Sequence, residues 1–165
     1  LDALCGGGQS SLYFSGRGSQ VTGLDISEGQ CQHYQARFPE GQVYCRSALD
    51  TGFPDEEFDF IVTDSLHHTH PQLKPCVREF LRILKPGGSL LFWEPAAGSI
   101  MDGLRQAWYR RDTRYFEDNE AAVSMPQLAS DFRSDMRLVN EVYGGNIAYL
   151  SVLLSMPLQI GRAHV

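Results

Sequence analysis

Short apolar segments alternate with more polar ones along residues 1–95. Each apolar segment is four to seven residues long, as is typical of strands, and the segments between them are long enough to cross back over a sheet. This alternation predicts an α/β fold with a doubly wound, mostly parallel sheet. The predicted strands are LDAL (1–4), QVTGLDI (20–26), QVYCRSA (42–48), FDFIVTD (58–64) and GSLLFWE (88–94).

Two of the intervening segments carry helix signals. SEGQCQHYQARF (27–38) begins with Ser27, a favourable N-cap residue. In PQLKPCVREFLRIL (71–84) apolar residues recur at helical spacing, and the KPGG that follows is expected to end the helix. Pro75 falls in the first turn of this helix, where a missing N–H group is tolerated. The predicted buried face consists of Leu73, Val77, Phe80, Leu81 and Leu84.

The pattern changes after Pro95. Two further helices are predicted, around IMDGLRQAWYRR (100–111) and MPQLASDFRS (125–134). Apolar runs then return on both sides of a Gly-Gly pair, which predicts an antiparallel hairpin. The single predicted domain spans residues 1–159 and consists of a core (1–95), a middle segment (96–135) and the closing hairpin (136–155).

Both ends of the chain suggest an interruption. Leu1 stands where a natural start would place Met, and it already lies within the first predicted strand. The last six residues, IGRAHV (160–165), are what a common sequencing adapter encodes when it is translated in frame. We therefore expect a fragment that is cut at both ends, and we exclude residues 160–165 from the predicted fold.

Composition narrows the classes of function. The net charge of −6 argues against a nucleic-acid partner. The longest apolar run is shorter than the ~20 residues that a membrane helix needs. No CxxC pair occurs, so neither a zinc site nor a disulfide framework is predicted, and a reducing, cytoplasmic setting is expected. The sequence leaves the oligomeric state open. The four cysteines are Cys5, Cys31, Cys45 and Cys76.

The first predicted strand runs into three consecutive glycines, Gly6 to Gly8. A backbone without Cβ atoms can bring N–H groups against a phosphate, nucleotide or carboxylate, although a plain tight turn also fits. Asp25 follows Gly8 by seventeen residues, where a carboxylate can accept hydrogen bonds from both ribose hydroxyls of a nucleoside. A nicotinamide dinucleotide uses the same acid, but its fingerprint places a third glycine near Ser11. Ser11 therefore weighs against a nicotinamide-dependent oxidoreductase.

Five segments in order resemble the class I S-adenosylmethionine-dependent methyltransferases, especially the small-molecule branch called type 11. They are LDALCGGG (1–8), VTGLDIS (21–27), FPDEEFDFIV (53–62), LHH (66–68) and LKPGGSLLFWEP (84–95). The resemblance implies a Rossmann-like fold, S-adenosylmethionine as cofactor and in-line methyl transfer to an oxygen, nitrogen or carbon nucleophile of a small molecule. The cofactor-binding residues that it implies are Asp2, Cys5, Gly6, Gly8, Asp25, Ile26, Ser47, Ala48 and Asp64.

Two positions depart from the family pattern. Leu4 stands where relatives usually have a glycine: either it adopts a positive φ, at roughly 1–2 kcal/mol, or it is an extended residue whose side chain enters the core, which we favour. Ser47 replaces an acid that accepts from the adenine amino group, which would weaken binding by about 1 kcal/mol. Ala48 still offers its N–H group, and Asp50 is interpreted as a turn residue. These departures motivate an alternative function, a catalytically impaired binding module.

Several polar residues allow two interpretations. Asp2 either orients the amino group of the cofactor or caps the turn. Glu94 either faces substrate or caps the helix that follows it. The segment AWYRRDTRYF (107–116) is either solvated surface or part of the substrate lid that the resemblance implies for residues 96–135. Cys5 is interpreted as a small buried residue rather than a nucleophile.

Three histidines, His67, His68 and His70, follow the fourth predicted strand. Because histidine titrates near neutrality, His67 or His68 is a candidate base that takes a proton from the methyl acceptor. The pair can instead fix the loop through a ring N–H bond to the backbone, or orient the substrate, and we favour this non-catalytic interpretation. No metal site is predicted, because adjacent side chains seldom point to one centre and Asp64 alone does not complete a ligand set.

Overall fold

A computed structural model describes residues 1–109 and 121–144. These residues form two compact units. The first is built on residues 1–94 together with Ala121, and the second on residues 95–109 and 122–144.

A five-stranded parallel sheet organises the first unit. Its strands are β1 (Asp2–Ala3), β2 (Thr22–Asp25), β3 (Gln42–Cys45), β4 (Phe58–Thr63) and β5 (Leu84–Phe92). The strand order β3-β2-β1-β4-β5 places the second and third strands on one side of β1 and the last two on the other. This doubly wound sheet confirms the predicted fold class. Open α/β sheets bind ligands where the strand order reverses, which here is the carboxyl edge between β1 and β4.

Helices connect these strands. The first unit contains α1 (Gln9–Ser15), α2 (Glu28–Arg37), a 3₁₀ turn (Leu66–Thr69) and α3 (Leu73–Ile83). The predicted cap of α2 is present, because the Ser27 hydroxyl accepts from the Gln30 N–H at 3.4 Å. Helix α1 lies between β1 and β2, where the sequence analysis predicted no helix.

The buried face of α3 differs in part from the prediction. The buried residues Cys76, Phe80 and Ile83 are spaced four and three apart. The buried face of α3 is therefore shifted by about one residue from the predicted face. Gly87, within the predicted KPGG stop, has a φ of 80° and lies in β5, where the register against β4 shifts. The buried residues are Cys76, Val77, Phe80 and Ile83, whereas Leu73, Leu81 and Leu84 are half-buried.

The second unit contains both helices predicted after Pro95, which are α4 (Ile100–Tyr109) and α5 (Met125–Asp131). The predicted hairpin is not confirmed. Residues 136–144 contain no strand, and apolar side chains such as Val139 and Val142 are exposed there. The rest of the hairpin and residues 160–165 lie outside the described residues.

Within the described ranges, none of the helices combines the length and apolar character that a membrane crossing requires.

Candidate functional site

The predicted cofactor residues gather along one edge of the sheet. Asp2 lies within β1, and the others lie at or just beyond the carboxyl ends of β1 to β4, which parallel strands bring to the same edge. The residues beyond the strand ends are Cys5, Gly6 and Gly8 after β1, Asp25 and Ile26 at β2, Ser47 and Ala48 after β3, and Asp64 after β4.

The chain leaves β1 through a tight turn, Cys5–Gly8, which we call the glycine turn. The Cys5 N–H donates to the Leu24 carbonyl at 3.0 Å, and the Gly8 N–H donates to the Cys5 carbonyl at 2.8 Å. Leu4 has a φ of 57°, so the prediction of an extended Leu4 is wrong. Leu4 is the residue between β1 and the turn, and its left-handed conformation costs roughly 1–2 kcal/mol.

The three glycines serve two different purposes. A Cβ atom on Gly8 would lie 2.6 Å from the Phe38 ring and 2.8 Å from the Tyr34 ring, so Gly8 is required by the packing of α2. A Cβ atom on Gly7 would meet nothing within 4 Å, and one on Gly6 would meet only the Gln30 amide oxygen at 3.8 Å. Space for a ligand is therefore present at Gly6 and Gly7 and not at Gly8.

Asp25 ties the glycine turn to the end of β2. Its Oδ2 atom accepts from the Gly6 N–H at 2.8 Å, and its Oδ1 atom accepts from the Ser27 N–H at 2.9 Å. The residue is only partly buried, and each carboxylate oxygen can accept more than one hydrogen bond. Asp25 therefore has acceptor capacity left for a pair of ribose hydroxyls.

Asp2 is buried and caps helix α1. Its Oδ2 atom accepts from the Ser11 N–H at 2.9 Å and from the Ser11 hydroxyl at 2.7 Å, while the Tyr34 hydroxyl donates to Ser11 Oγ at 3.0 Å. Burial raises the pKa of Asp2 to about 6, and the negative charge of Asp64 adds to the shift. Of the two interpretations of Asp2, these contacts support capping.

The loop after β3 forms a local turn. The Ser47 hydroxyl accepts from the Leu49 N–H at 3.1 Å, and the Asp50 N–H donates to the Ser47 carbonyl at 3.3 Å. The prediction that Asp50 is a turn residue is confirmed. Ala48 is buried within this turn, whereas the Ile26 side chain is 67% exposed at the neighbouring strand end.

Glu94 contacts the 3₁₀ turn after β4. Its Oε1 atom accepts from the Leu66 N–H at 2.7 Å, and its Oε2 atom accepts from the His67 N–H at 3.1 Å and lies 2.6 Å from His67 Nδ1. The Glu94 side chain is 4% exposed and the His67 side chain 19%. Glu94 thus caps the preceding turn, not the helix that follows, because the carboxyl ends of β4 and β5 adjoin.

Comparison of the sequence with known families identifies the domain. Residues 1–92 match the type 11 family described as "Methyltransferase domain", which is more than half of the chain. The chain belongs to this methyltransferase family. The cofactor of the family is S-adenosylmethionine, and its members are enzymes.

Individual relatives agree with this assignment. An uncharacterized methyltransferase of Synechocystis is 34% identical over 110 residues, which are 59% of this chain and 52% of the relative. The malonyl-(acyl-carrier protein) O-methyltransferase of Salmonella typhimurium is 35% identical over 116 residues, 69% of this chain and 45% of the relative. The chain spans about half the length of the curated relatives it matches.

A solved structure shows the same fold. The YcgJ protein of Bacillus subtilis superposes with a TM-score of 0.70 at 20% identity, covering 92% of this chain and 69% of that protein.

The histidines of the methyltransferase domain differ in their surroundings. The rings of His67 and His68 lie 4.1 Å apart between centroids. His70 Nε2 is buried and finds no hydrogen-bond partner among the described residues, and burial lowers the pKa of His70. Asp64 Oδ1 accepts from the Ser65 hydroxyl at 3.0 Å. No three His, Cys, Asp or Glu side chains within 1–109 and 121–144 are grouped so as to hold a metal ion.

Cys5 is buried, and burial raises the pKa of its thiol well above the usual range. A thiol that stays protonated is a poor nucleophile. This environment supports the interpretation of Cys5 as a packing residue.

Sequence reasoning missed two contacts of the site. The pairing of Glu94 with His67 joins residues 27 positions apart, and the expected partner of the histidine ring was the backbone. The two consecutive hydrogen bonds that link Tyr34 to Ser11 and Ser11 to Asp2 were also missed. A usable signal existed for the first contact, because consecutive parallel strands often adjoin and bring their carboxyl ends together.

Proposed function

We propose that this domain transfers the methyl group of S-adenosylmethionine to an oxygen, nitrogen or carbon nucleophile of a small molecule. The observation that supports the proposal most directly is the Asp25 carboxylate beside the open backbone of Gly6 and Gly7. The carboxylate lies at the strand end where the open sheet favours a ligand, and the turn leaves room that a side chain would fill.

The residues at this edge fit the cofactor. When it is bound, S-adenosylmethionine supplies a methyl group made electrophilic by the sulfonium sulfur. Asp25 would accept from the ribose hydroxyls, Ile26 would contact the nucleoside with its exposed apolar surface, and the Ser47–Ala48 turn would face the base. Asp2, Cys5 and Gly8 would support the site indirectly. Asp2 caps helix α1, and Cys5 and Gly8 pack in the interior. Asp64, at the end of β4, completes the edge.

The domain contributes mainly alignment to such a transfer. Holding the acceptor atom ~3–3.5 Å from the methyl carbon removes much of the barrier through proximity. A base is needed only when the acceptor is a hydroxyl or an amine that must lose a proton.

His67 is the base that we propose for such acceptors. Glu94 accepts at Nδ1, so the Nδ1 atom carries the proton and Nε2 keeps a lone pair that can take a proton from the acceptor. Glu94 also holds the loop through two backbone N–H groups, and those bonds do not need the imidazole ring. His68, whose ring adjoins that of His67, is the second candidate for the same step.

The kind of acceptor determines whether this base matters. The relative from Salmonella is named for O-methylation of a malonyl group, and a carboxylate acceptor carries no proton at neutral pH. If this chain uses a carboxylate, substitution of His67 would change the rate little.

The proposal is tested by calorimetric titration of the full-length protein with S-adenosylmethionine, S-adenosylhomocysteine and NAD, followed by single-turnover assays with methyl-labelled cofactor and panels of hydroxyl, amine and carboxylate acceptors. Tight binding of both sulfur nucleosides and labelled product are expected. Preferential binding of NAD would overturn the assignment. Nucleoside binding without transfer to any acceptor would instead support the impaired binding module suggested by Leu4 and Ser47.

A further inference from the structure

Two cysteines lie together beside the end of β2. Cys31 is in the first turn of α2, and its sulfur lies 3.6 Å from the Asp25 carbonyl oxygen. Cys45 ends β3, where it pairs in register with Asp25, and its sulfur lies 3.5 Å from the Ile26 carbonyl oxygen. The two sulfurs thus contact carbonyls of consecutive residues. The Asp25 carbonyl that Cys31 contacts also accepts from the Arg46 N–H at 2.9 Å, directly after Cys45 in the chain, so the two thiols lie beside the same short stretch of backbone.

The two thiols differ in exposure. Cys45 is exposed, whereas Cys31 is 8% exposed. Burial raises the pKa of Cys31 to about 11, and the nearby Cys45 adds to this shift. An oxidant in solution therefore reaches Cys45 first, and Cys31 is the protected thiol that can react with the oxidised product.

We propose that Cys31 and Cys45 form a redox modification site that a peroxide converts to a disulfide. The Cys45 thiolate attacks one oxygen of the peroxide, the O–O bond breaks, and sulfenic acid and hydroxide result. The Cys31 sulfur then attacks the sulfenic sulfur, the S–O bond breaks, and the departing hydroxide takes the Cys31 proton as water. With hydrogen peroxide the two thiols are oxidised by two electrons in total, and the peroxide is reduced to two water molecules.

Disulfide formation is expected to affect the proposed cofactor site through the backbone carbonyls of Asp25 and Ile26. A disulfide has no S–H group, so the contacts from Cys31 to the Asp25 carbonyl and from Cys45 to the Ile26 carbonyl lose their donors. Both carbonyls belong to residues that we place against the nucleoside. This consequence rests on the proposed function, whereas disulfide formation does not. Oxidation is expected to weaken S-adenosylhomocysteine binding about three- to tenfold, because two neutral hydrogen bonds that position the site are lost.

The chemistry is tested by peptide mapping under non-reducing conditions after treatment of the folded full-length protein with hydrogen peroxide. Trypsin places the two cysteines on separate peptides, 18–37 for Cys31 and 38–46 for Cys45. The expected product is a disulfide between these two peptides that disappears after treatment with dithiothreitol. In Cys45→Ser, Cys31 should remain reduced at the same peroxide dose. In Cys31→Ser, Cys45 should stop at a sulfenic acid that dimedone traps.

Two results would overturn the inference. One is the absence of the 18–37 to 38–46 linkage when peroxide has already oxidised Cys45 in the folded protein. The other is a preferred linkage to the peptide that ends at Arg17, which carries Cys5, or to the peptide 47–78, which carries Cys76.

Calorimetry on the oxidised and re-reduced protein separates this inference from the proposed function. Reduced protein that fails to bind S-adenosylhomocysteine contradicts the proposed function and leaves the peptide map as the test of the disulfide. Equal affinity in the mapped disulfide form and the reduced form contradicts the link to the cofactor edge. Cys31→Ser treated identically is the matched control, because peroxide damage elsewhere would weaken its binding as well.

Discussion

The glycine turn and the loop after β4 are each held by a carboxylate that accepts from two backbone N–H groups, but the two carboxylates differ in exposure. At the end of β2 the partly exposed Asp25 carboxylate accepts from two backbone N–H groups. At the end of β5 the buried Glu94 carboxylate also accepts from two backbone N–H groups and additionally contacts the His67 ring. Both carboxylates fix a loop, but only the exposed one keeps acceptor capacity for a ligand. The buried one orients a histidine instead.

The largest effect is expected from His67→Ala with an acceptor that must lose a proton. Removal of the ring should slow the methyl-transfer step by ~10²–10⁴-fold, as is typical of loss of a general base. S-adenosylhomocysteine affinity and the melting temperature should hold, because Glu94 keeps its bonds to the backbone N–H groups. Single-turnover rates, calorimetry and thermal melts measure the three quantities.

Glu94→Gln is the matched variant for this comparison. Its amide oxygen can accept from one backbone N–H group, but the amide no longer provides the charge that favours an imidazolium at His67. The ring then loses its proton at lower pH, so the pH profile of the transfer step should move to lower pH. A drop in melting temperature together with weaker cofactor binding in His67→Ala would mean that the ring is structural. Single-turnover rates for both His67→Ala and His68→Ala within a few-fold of the parent would eliminate the base.

Asp25→Ala tests the other end of the comparison. Loss of two ribose hydrogen bonds to a charged acceptor should weaken S-adenosylhomocysteine binding by roughly 2–4 kcal/mol. The sequence alone suggests an unchanged melting temperature, but the bonds to Gly6 and Ser27 now predict a decrease. Asp25→Asn is the control, since it keeps one acceptor oxygen. Unchanged affinity in Asp25→Ala would contradict a nucleoside at this position.

The two regions also differ in how well the sequence predicts them. The glycine turn is read from a local pattern, since Gly6 to Gly8 and the acid at Asp25 follow consecutive strands in order. The conformation of Leu4 cannot be predicted from this local pattern. A positive φ is contrary to the intrinsic preference of leucine, and the surrounding turn imposes it. The partner of His67 lies 27 residues away, and the choice among several nearby acceptors depends on strand adjacency that no local pattern contains.

The Asp2 carboxylate should make stability depend on pH. Its pKa rises from 3.8 to about 6 on folding, so the folded state holds the proton more tightly. The stabilisation is complete below about pH 4 and is lost as pH rises through 6, an effect of about 2–3 kcal/mol at ~1.4 kcal/mol per pKa unit. Urea unfolding from pH 4 to 7 should show this loss relative to Asp2→Asn.

The comparison with Asp2→Asn isolates this carboxylate. Glu79, whose pKa the Arg82 hydrogen bond lowers to about 2, acts in the opposite direction at lower pH but is common to both proteins. Parallel stability profiles for the parent and Asp2→Asn would show that Asp2 titrates alike in the folded and unfolded states.

The smallest effect is expected at Leu4, where two contributions oppose each other. Leu4→Gly removes the cost of a positive φ, roughly 1–2 kcal/mol, but it loses the half-buried side chain and gives the unfolded chain more freedom at about 0.5–1 kcal/mol. We therefore expect the free energy of unfolding to change by less than about 1 kcal/mol. Leu4→Ala is the informative partner, because alanine loses the same contacts and keeps the strained backbone. Leu4→Gly should be more stable than Leu4→Ala by about 1 kcal/mol in urea unfolding. If Leu4→Ala is instead more stable than Leu4→Gly by about 0.5–1 kcal/mol, Leu4 carries no strain. A tenfold or greater gain in S-adenosylhomocysteine affinity in Leu4→Gly would show that the leucine obstructs the glycine turn and would favour the impaired binding module over the enzyme.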